Sequence, residues 1–142
     1  MALQRKGTAQ WKGGLKDGKG TVSTASGVLN GTPYSFSSRF EGQQGTNPEE
    51  LIGAAHAGCF SMALSGQLDA AGLKADSIDT TATVSLEKLE SGFAVTSVHL
   101  EVRAKIPGAD QSKFDEAAKK AKEGCPISKL LNTKITMDAK LA

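Results

Sequence analysis

Long apolar runs, blocks of like charge and internal repeats are all missing from this 142-residue sequence. Lys and Arg number 17 against 15 Asp and Glu, a net charge of only +2, so the basic stripe of a dedicated nucleic-acid binder is absent. No stretch reaches membrane-spanning length, and the opening MALQRKGTAQW lacks an apolar segment with a small-residue cleavage site; a cytoplasmic protein with no membrane and no nucleic-acid partner is expected. Cysteine is scarce. Cys59 and Cys125 are too few for a secreted disulfide framework, and in a reducing compartment a standing structural bridge is not expected. Histidine is equally sparse, with His56 and His99 alone and neither a C-x-x-C nor an H-E-x-x-H pattern, so no metal is expected.

With 39% hydrophobic residues and no linker, the chain reads as one domain over residues 1–142. Its first forty residues alternate short runs, TAQWKG, GTVST and PYSFSSRFEG, with glycine turns, which predicts a small antiparallel sheet whose apolar side holds Tyr34, Phe36 and Phe40. GGLKDGKGT approaches a phosphate-binding loop, but Gly20 stands where Ser or Thr is required and strand-like TVST follows, so a hairpin turn is expected. A long helix begins at Thr46 or Asn47, with Pro48 in its first turn and Glu49 and Glu50 at the positive end of its dipole, and it stops at Gly72. Its apolar residues cover more than one face, which predicts a central helix wrapped on most sides. SIDTTATVSLEKL and FAVTSVHLEVRAKI form a long hairpin around ESG, GADQSKFDEAAKKAKEGC a second helix ended by Gly124, PISKLL a short turn and TKITMDAKL a last strand. The fold class is α+β, with antiparallel sheets around a long central helix.

Cys59, in the middle of that helix, has two readings: a small core residue, since free cysteine is among the most buried types, or a reactive thiol. Cys125 stands between Gly124 and Pro126, where the N–H groups of a new helix are expected to favour its thiolate. One nucleophilic thiol and a second separate one are the minimum equipment for reversible thiol oxidation. His56, three residues before Cys59, could serve as a neighbouring ligand or base, and helix packing is the simpler role.

SSRFEG, GTNPEELIGAAHAGCFSMAL and, far downstream, KAKEGCPIS together resemble the OsmC family, the osmotically inducible protein C branch of the OsmC and organic hydroperoxide resistance superfamily. The likeness spans nearly the whole chain. It implies an OsmC-like fold in an intertwined homodimer, and a thiol-dependent peroxidase that reduces organic hydroperoxides without metal, flavin or other cofactor. By motif position Cys59 is the peroxidatic cysteine, Cys125 the resolving one, Glu49 the active-site glutamate and Arg39 the active-site arginine. An arginine beside Cys59 would stabilise its thiolate and bind peroxide oxygens, and Glu49 would orient it. Cys125 would condense with the Cys59 sulfenic acid, and a dithiol or lipoyl reductant would reset the pair. Leu51, Phe60 and Met62 are the apolar lining expected near Cys59, which favours alkyl hydroperoxides.

Glu49 and Cys59 are ten residues apart, about 15 Å along a straight helix, and cannot meet on one copy. Two such helices crossing antiparallel at Ala54 and Ala55 would bring Glu49 of one subunit to Cys59 of the other, giving two composite sites. The competing reading is a non-catalytic dimeric small-ligand-binding stress protein with Cys59 merely packed.

Overall fold

Glycine turns between β-prone runs produce strands β1 (Gly7–Lys12), β2 (Lys19–Thr24) and β3 (Thr32–Tyr34), antiparallel and adjacent in that order. The β1–β2 turn is closed by Gly18 N–H donating to Gly14 O at 2.9 Å and by the Trp11 indole donating to the same carbonyl at 3.2 Å. Gly20 pairs with Trp11 on one side and Tyr34 on the other. A Cβ there would lie 2.5 Å from both rings, so the glycine that spoils the phosphate-loop pattern is the one that lets the two aromatics close over β2. These strands belong to the first of two compact units, Met1–Leu51 and Ile52–Ala142, in the computed structural model, which describes all residues from Met1 to Ala142.

PYSFSSRFEG does not continue as strand. It turns at Ser35 into a short helix α1 (Phe36–Phe40). Ser35 and Ser38 cap each other reciprocally, Ser38 N–H to Ser35 Oγ at 3.2 Å and Ser35 N–H to Ser38 Oγ at 2.9 Å, and this local exchange outweighs the alternating pattern. Phe36 and Phe40, four apart, therefore pack on each other with ring centroids 4.9 Å apart and planes tilted by 53°.

The long helix α2 (Pro48–Ala70) starts as expected: Asn47 Oδ1 accepts the Glu50 N–H at 2.7 Å and Thr46 Oγ1 donates to Glu50 at 3.0 Å. Gly72, at φ +75°, lies just beyond its end. One face is buried, running through Gly53, His56, Phe60, Leu64 and Leu68. The opposite face, Ala54, Ala55, Gly58, Met62 and Gly66, is exposed in the single chain, so the helix is not wrapped on most sides as its composition suggested.

In the second unit, β4 (Ser77–Leu89) and β5 (Gly92–Lys105) form the long hairpin, with a register shift after Ser85. Alternation places Val98, Leu100, Val102 and Ala104 of β5 in the core, against Phe60, Leu64 and Leu68 of α2 and Phe114, Ala117, Ala118 and Ala121 of helix α3 (Gln111–Gly124). Asp110 caps α3, and Cys125 is both its C-cap and the residue preceding α4 (Pro126–Leu130). Gly124 is the last helical residue and keeps an ordinary φ, so it does not act as a left-handed stop. The last strand, β6 (Lys134–Leu141), pairs with β5 in parallel, Val98 opposite Ile135 and Val102 opposite Ala139. This sheet is therefore mixed, because a chain that leaves β5, runs through two helices and returns to its edge arrives in the same direction. No helix is long and apolar enough to cross a membrane.

Candidate active site

Two of the four expected site residues meet in the second unit. Cys59 lies on the half-buried flank of α2, one residue before the core residue Phe60, and Cys125 is 0% exposed at the α3–α4 junction. Both thiols are free, and the Cys59 and Cys125 sulfurs lie within hydrogen-bond reach of each other, 2.8 Å apart. A disulfide bond measures about 2.05 Å, so closing one requires less than about 1 Å of approach.

Burial pushes the Cys59 thiol above its ordinary pKa, and the hydrogen bond and charge of Cys125 act in the same direction, while a hydrogen bond from the backbone of Ile127 favours the thiolate. The first turn of α4 thus bears on Cys59. Cys125 precedes α4 but makes no side-chain cap bond; its sulfur is turned into the core toward α2.

The remaining two residues meet in the first unit. Arg39, near the end of α1, forms a forked ion pair with Glu49 in the first turn of α2, Nε to Oε1 at 2.8 Å and Nη2 to Oε2 at 2.9 Å. The hydrogen bonds that Arg39 donates to Glu49 lead in raising the Arg39 pKa, opposed by partial burial. Two further links fix α1 to this helix start: Ser38 Oγ donates to Thr46 O at 2.9 Å, and Asn47 Nδ2 donates to Ser38 O at 3.3 Å. The guanidinium also lies 5.1 Å from the Phe40 ring and borders a cleft of about 250 Å³ lined by Trp11, Leu15, Tyr34, Phe36 and Phe40. Apolar lining was expected from Leu51, Phe60 and Met62. Phe60 is instead fully buried in the core, one helix step away from the thiol, and Met62 is 79% exposed on the open face of α2.

A family model described as OsmC-like protein matches residues 41–140. This chain belongs to the OsmC-like family. It is 58% identical over 141 residues, 99% of each chain, to the protein named peroxiredoxin OsmC of Escherichia coli strain K12. It is 37% identical over 124 residues, 86% of this chain and 87% of the other, to the organic hydroperoxide resistance protein OhrB of Bacillus subtilis strain 168. The crystal structure of an organic hydroperoxide resistance protein OsmC from Legionella pneumophila superposes with a TM-score of 0.70 at 26% identity, covering 100% of this chain and 99% of that one.

Three features of this candidate site escaped sequence reasoning. The aromatic cleft beside Arg39 depends on α1 being a helix, for which the Ser35–Ser38 spacing was the available signal. The Ile127 contact to Cys59 carries no side-chain signature. His56, fully buried, hydrogen-bonds Ser128 through Nε2 at 2.7 Å, joining positions distant in sequence; neither residue ligates anything else, and no group of three His, Cys, Asp or Glu is placed to hold a metal.

Proposed function

We propose that this chain is a cysteine-based, dithiol-dependent peroxidase that reduces organic hydroperoxides. The observation that carries this reading is the opposed pair of free sulfurs, Cys59 and Cys125, 2.8 Å apart, in a chain whose relatives are named peroxiredoxin OsmC and organic hydroperoxide resistance protein. The Cys59 thiolate attacks the terminal oxygen of ROOH; the O–O bond breaks, the alkoxide leaves and takes a proton as alcohol, and Cys59 becomes a sulfenic acid. The Cys125 thiol then attacks the Cys59 sulfur, expelling hydroxide, which is released as water with the thiol proton and leaves a disulfide. An external dithiol or lipoyl group returns both thiols.

The raised Cys59 pKa means that burial and Cys125 alone do not ionise the nucleophile. In this proposal Arg39 supplies the missing positive charge, held in orientation by Glu49, and the apolar part of the substrate lies in the aromatic cleft that Arg39 borders. The site is composite: in a two-fold dimer, α2 helices crossing at the exposed Ala54, Ala55 and Gly58 bring the Arg39–Glu49 pair of one subunit to the thiols of the other. The 142 residues act together as one catalytic domain.

Consumption of cumene hydroperoxide in the presence of dithiothreitol tests the reading. Cys59→Ser should abolish turnover, whereas Cys125→Ser, given hydroperoxide with no dithiothreitol present, should complete a single turnover and stop at a sulfenic acid that a dimedone probe traps. Normal turnover by both variants would refute the thiol mechanism, and inactivity of the native chain would favour the ligand-binding alternative.

A further inference from the structure

Two side-chain contacts join α2 to α4, and they are spaced one helical turn apart on both elements. Cys59 meets Cys125 at 2.8 Å. His56, three residues earlier on α2, meets Ser128, three residues after Cys125, at 2.7 Å. Apart from these, α4 has weak anchorage. It is five residues long and contains no fully buried residue; Ile127, and Leu131 just past its end, are only half-buried against the core. The polar contacts to α2 therefore contribute to its register. His56 is well suited to supply one. It is 0% exposed, and its Nδ1 is buried without a partner. An orphaned acceptor costs less than an orphaned N–H, so the preferred tautomer carries its proton on Nε2 and donates it to Ser128 Oγ. That tautomer gives the contact a fixed direction.

We propose that the His56–Ser128 hydrogen bond is a positioning clasp for the resolving step, holding α4 in the register that keeps the Cys125 sulfur against Cys59. The clasp touches neither substrate nor sulfur. It acts through the first residues of α4, and it matters because closure of the disulfide leaves less than about 1 Å of travel. If the α4 end drifts by a comparable distance, the Cys125 thiol spends most of its time out of reach of the sulfenic acid. The step affected is Cys59–SOH plus Cys125–SH giving the disulfide and water, with the organic hydroperoxide as oxidant, so the inference rests on the peroxidase reading above.

The test uses the full chain and two readouts of disulfide closure. One is the rate of Cys59–Cys125 bond formation after one equivalent of cumene hydroperoxide, followed by acid quench and mass spectrometry. The other is the equilibrium of the same pair in a dithiothreitol redox buffer, which involves no peroxide. Ser128→Ala, a small change at a half-buried position, is expected to slow closure about tenfold and to weaken the disulfide in the redox buffer. A tenfold change in that equilibrium corresponds to about 30 mV toward a more oxidising potential. Ser128→Thr, which keeps the hydroxyl, is expected to restore both. Closure rate and potential unchanged in Ser128→Ala, even with a lowered Tm, would reduce the pair to ordinary packing and overturn the clasp. So would a Ser128→Thr protein as slow as Ser128→Ala. A native chain in which the two cysteines never bond in either assay would instead remove the peroxidase reading itself, and the clasp with it.

Discussion

At the scale of single residues, the Arg39–Glu49 pair separates activity from stability. Arg39 keeps 35% of its side chain exposed, and ion pairs in such settings contribute under about 1 kcal/mol to folding. The fork geometry, however, fixes where the guanidinium points. Glu49→Gln is therefore expected to lower kcat/KM by tenfold or more, about 1.4 kcal/mol in the barrier, with little change in Tm; a parallel loss of both would mean that the pair is merely structural. Arg39→Lys should not recover the activity, since an ammonium cannot make both bonds. His56 makes the opposite kind of statement. Burial lowers its pKa below the usual imidazole value of about 6.5, so an unfolded chain takes up a proton that the folded chain refuses. Stability attached to the neutral ring is complete above about 6.5 and is lost as pH falls toward the folded value. A Tm series from pH 7.5 to 5 should show a steeper loss for the native chain than for His56→Gln, and equal slopes would contradict this.

At the scale of elements, what could be read in advance depended on whether the signal was local. The start of α2 is written in Asn47, Pro48, Glu49 and Glu50, and the helix begins at Pro48. The β4–β5 hairpin is written in strict alternation, and Val98, Leu100, Val102 and Ala104 are buried as that alternation requires. PYSFSSRFEG misled because its aromatics alternate with serines as in a strand, while the same serines are spaced to cap a helix. The direction of β6 could not be inferred from its own residues. It is set by the α3–α4 crossover, and alternation is the same for parallel and antiparallel pairing. Composition also mistook the second apolar face of α2 for a buried one. Small side chains such as Ala54, Ala55 and Gly58 are compatible with either core or interface, and hydropathy does not distinguish them. Within the candidate site, the four expected residues were legible as motifs, whereas their pairing into Cys59–Cys125 and Arg39–Glu49 required coordinates.

At the scale of the whole molecule, the open face of α2 and the sparse burial of the first unit point the same way. In Met1–Leu51 only Gly18, Gly20 and Ser38 are buried, while Leu3, Leu15 and Val28 are 70% exposed or more. So small a unit with so little interior gains stability from covering its apolar surface, and in the proposed dimer a second copy of the chain would provide one cover. The proposed composite site makes this measurable. Mixing an impaired Glu49→Gln chain with an inactive Cys59→Ser chain should raise activity above that of either alone on subunit exchange, because one of the two sites in the heterodimer then holds Glu49 from one chain and Cys59 from the other. No recovery from a verified heterodimer would place both residues of each site on one chain. The thiol pair has a consequence of another kind. Cys59 and Cys125 are separated by 66 positions, so a bond between them would cross-link a long loop and remove conformational freedom from the unfolded chain worth about 4 kcal/mol. A catalyst built this way would pass, at every turnover, between a tethered chain that resists unfolding and an untethered one that is appreciably easier to melt.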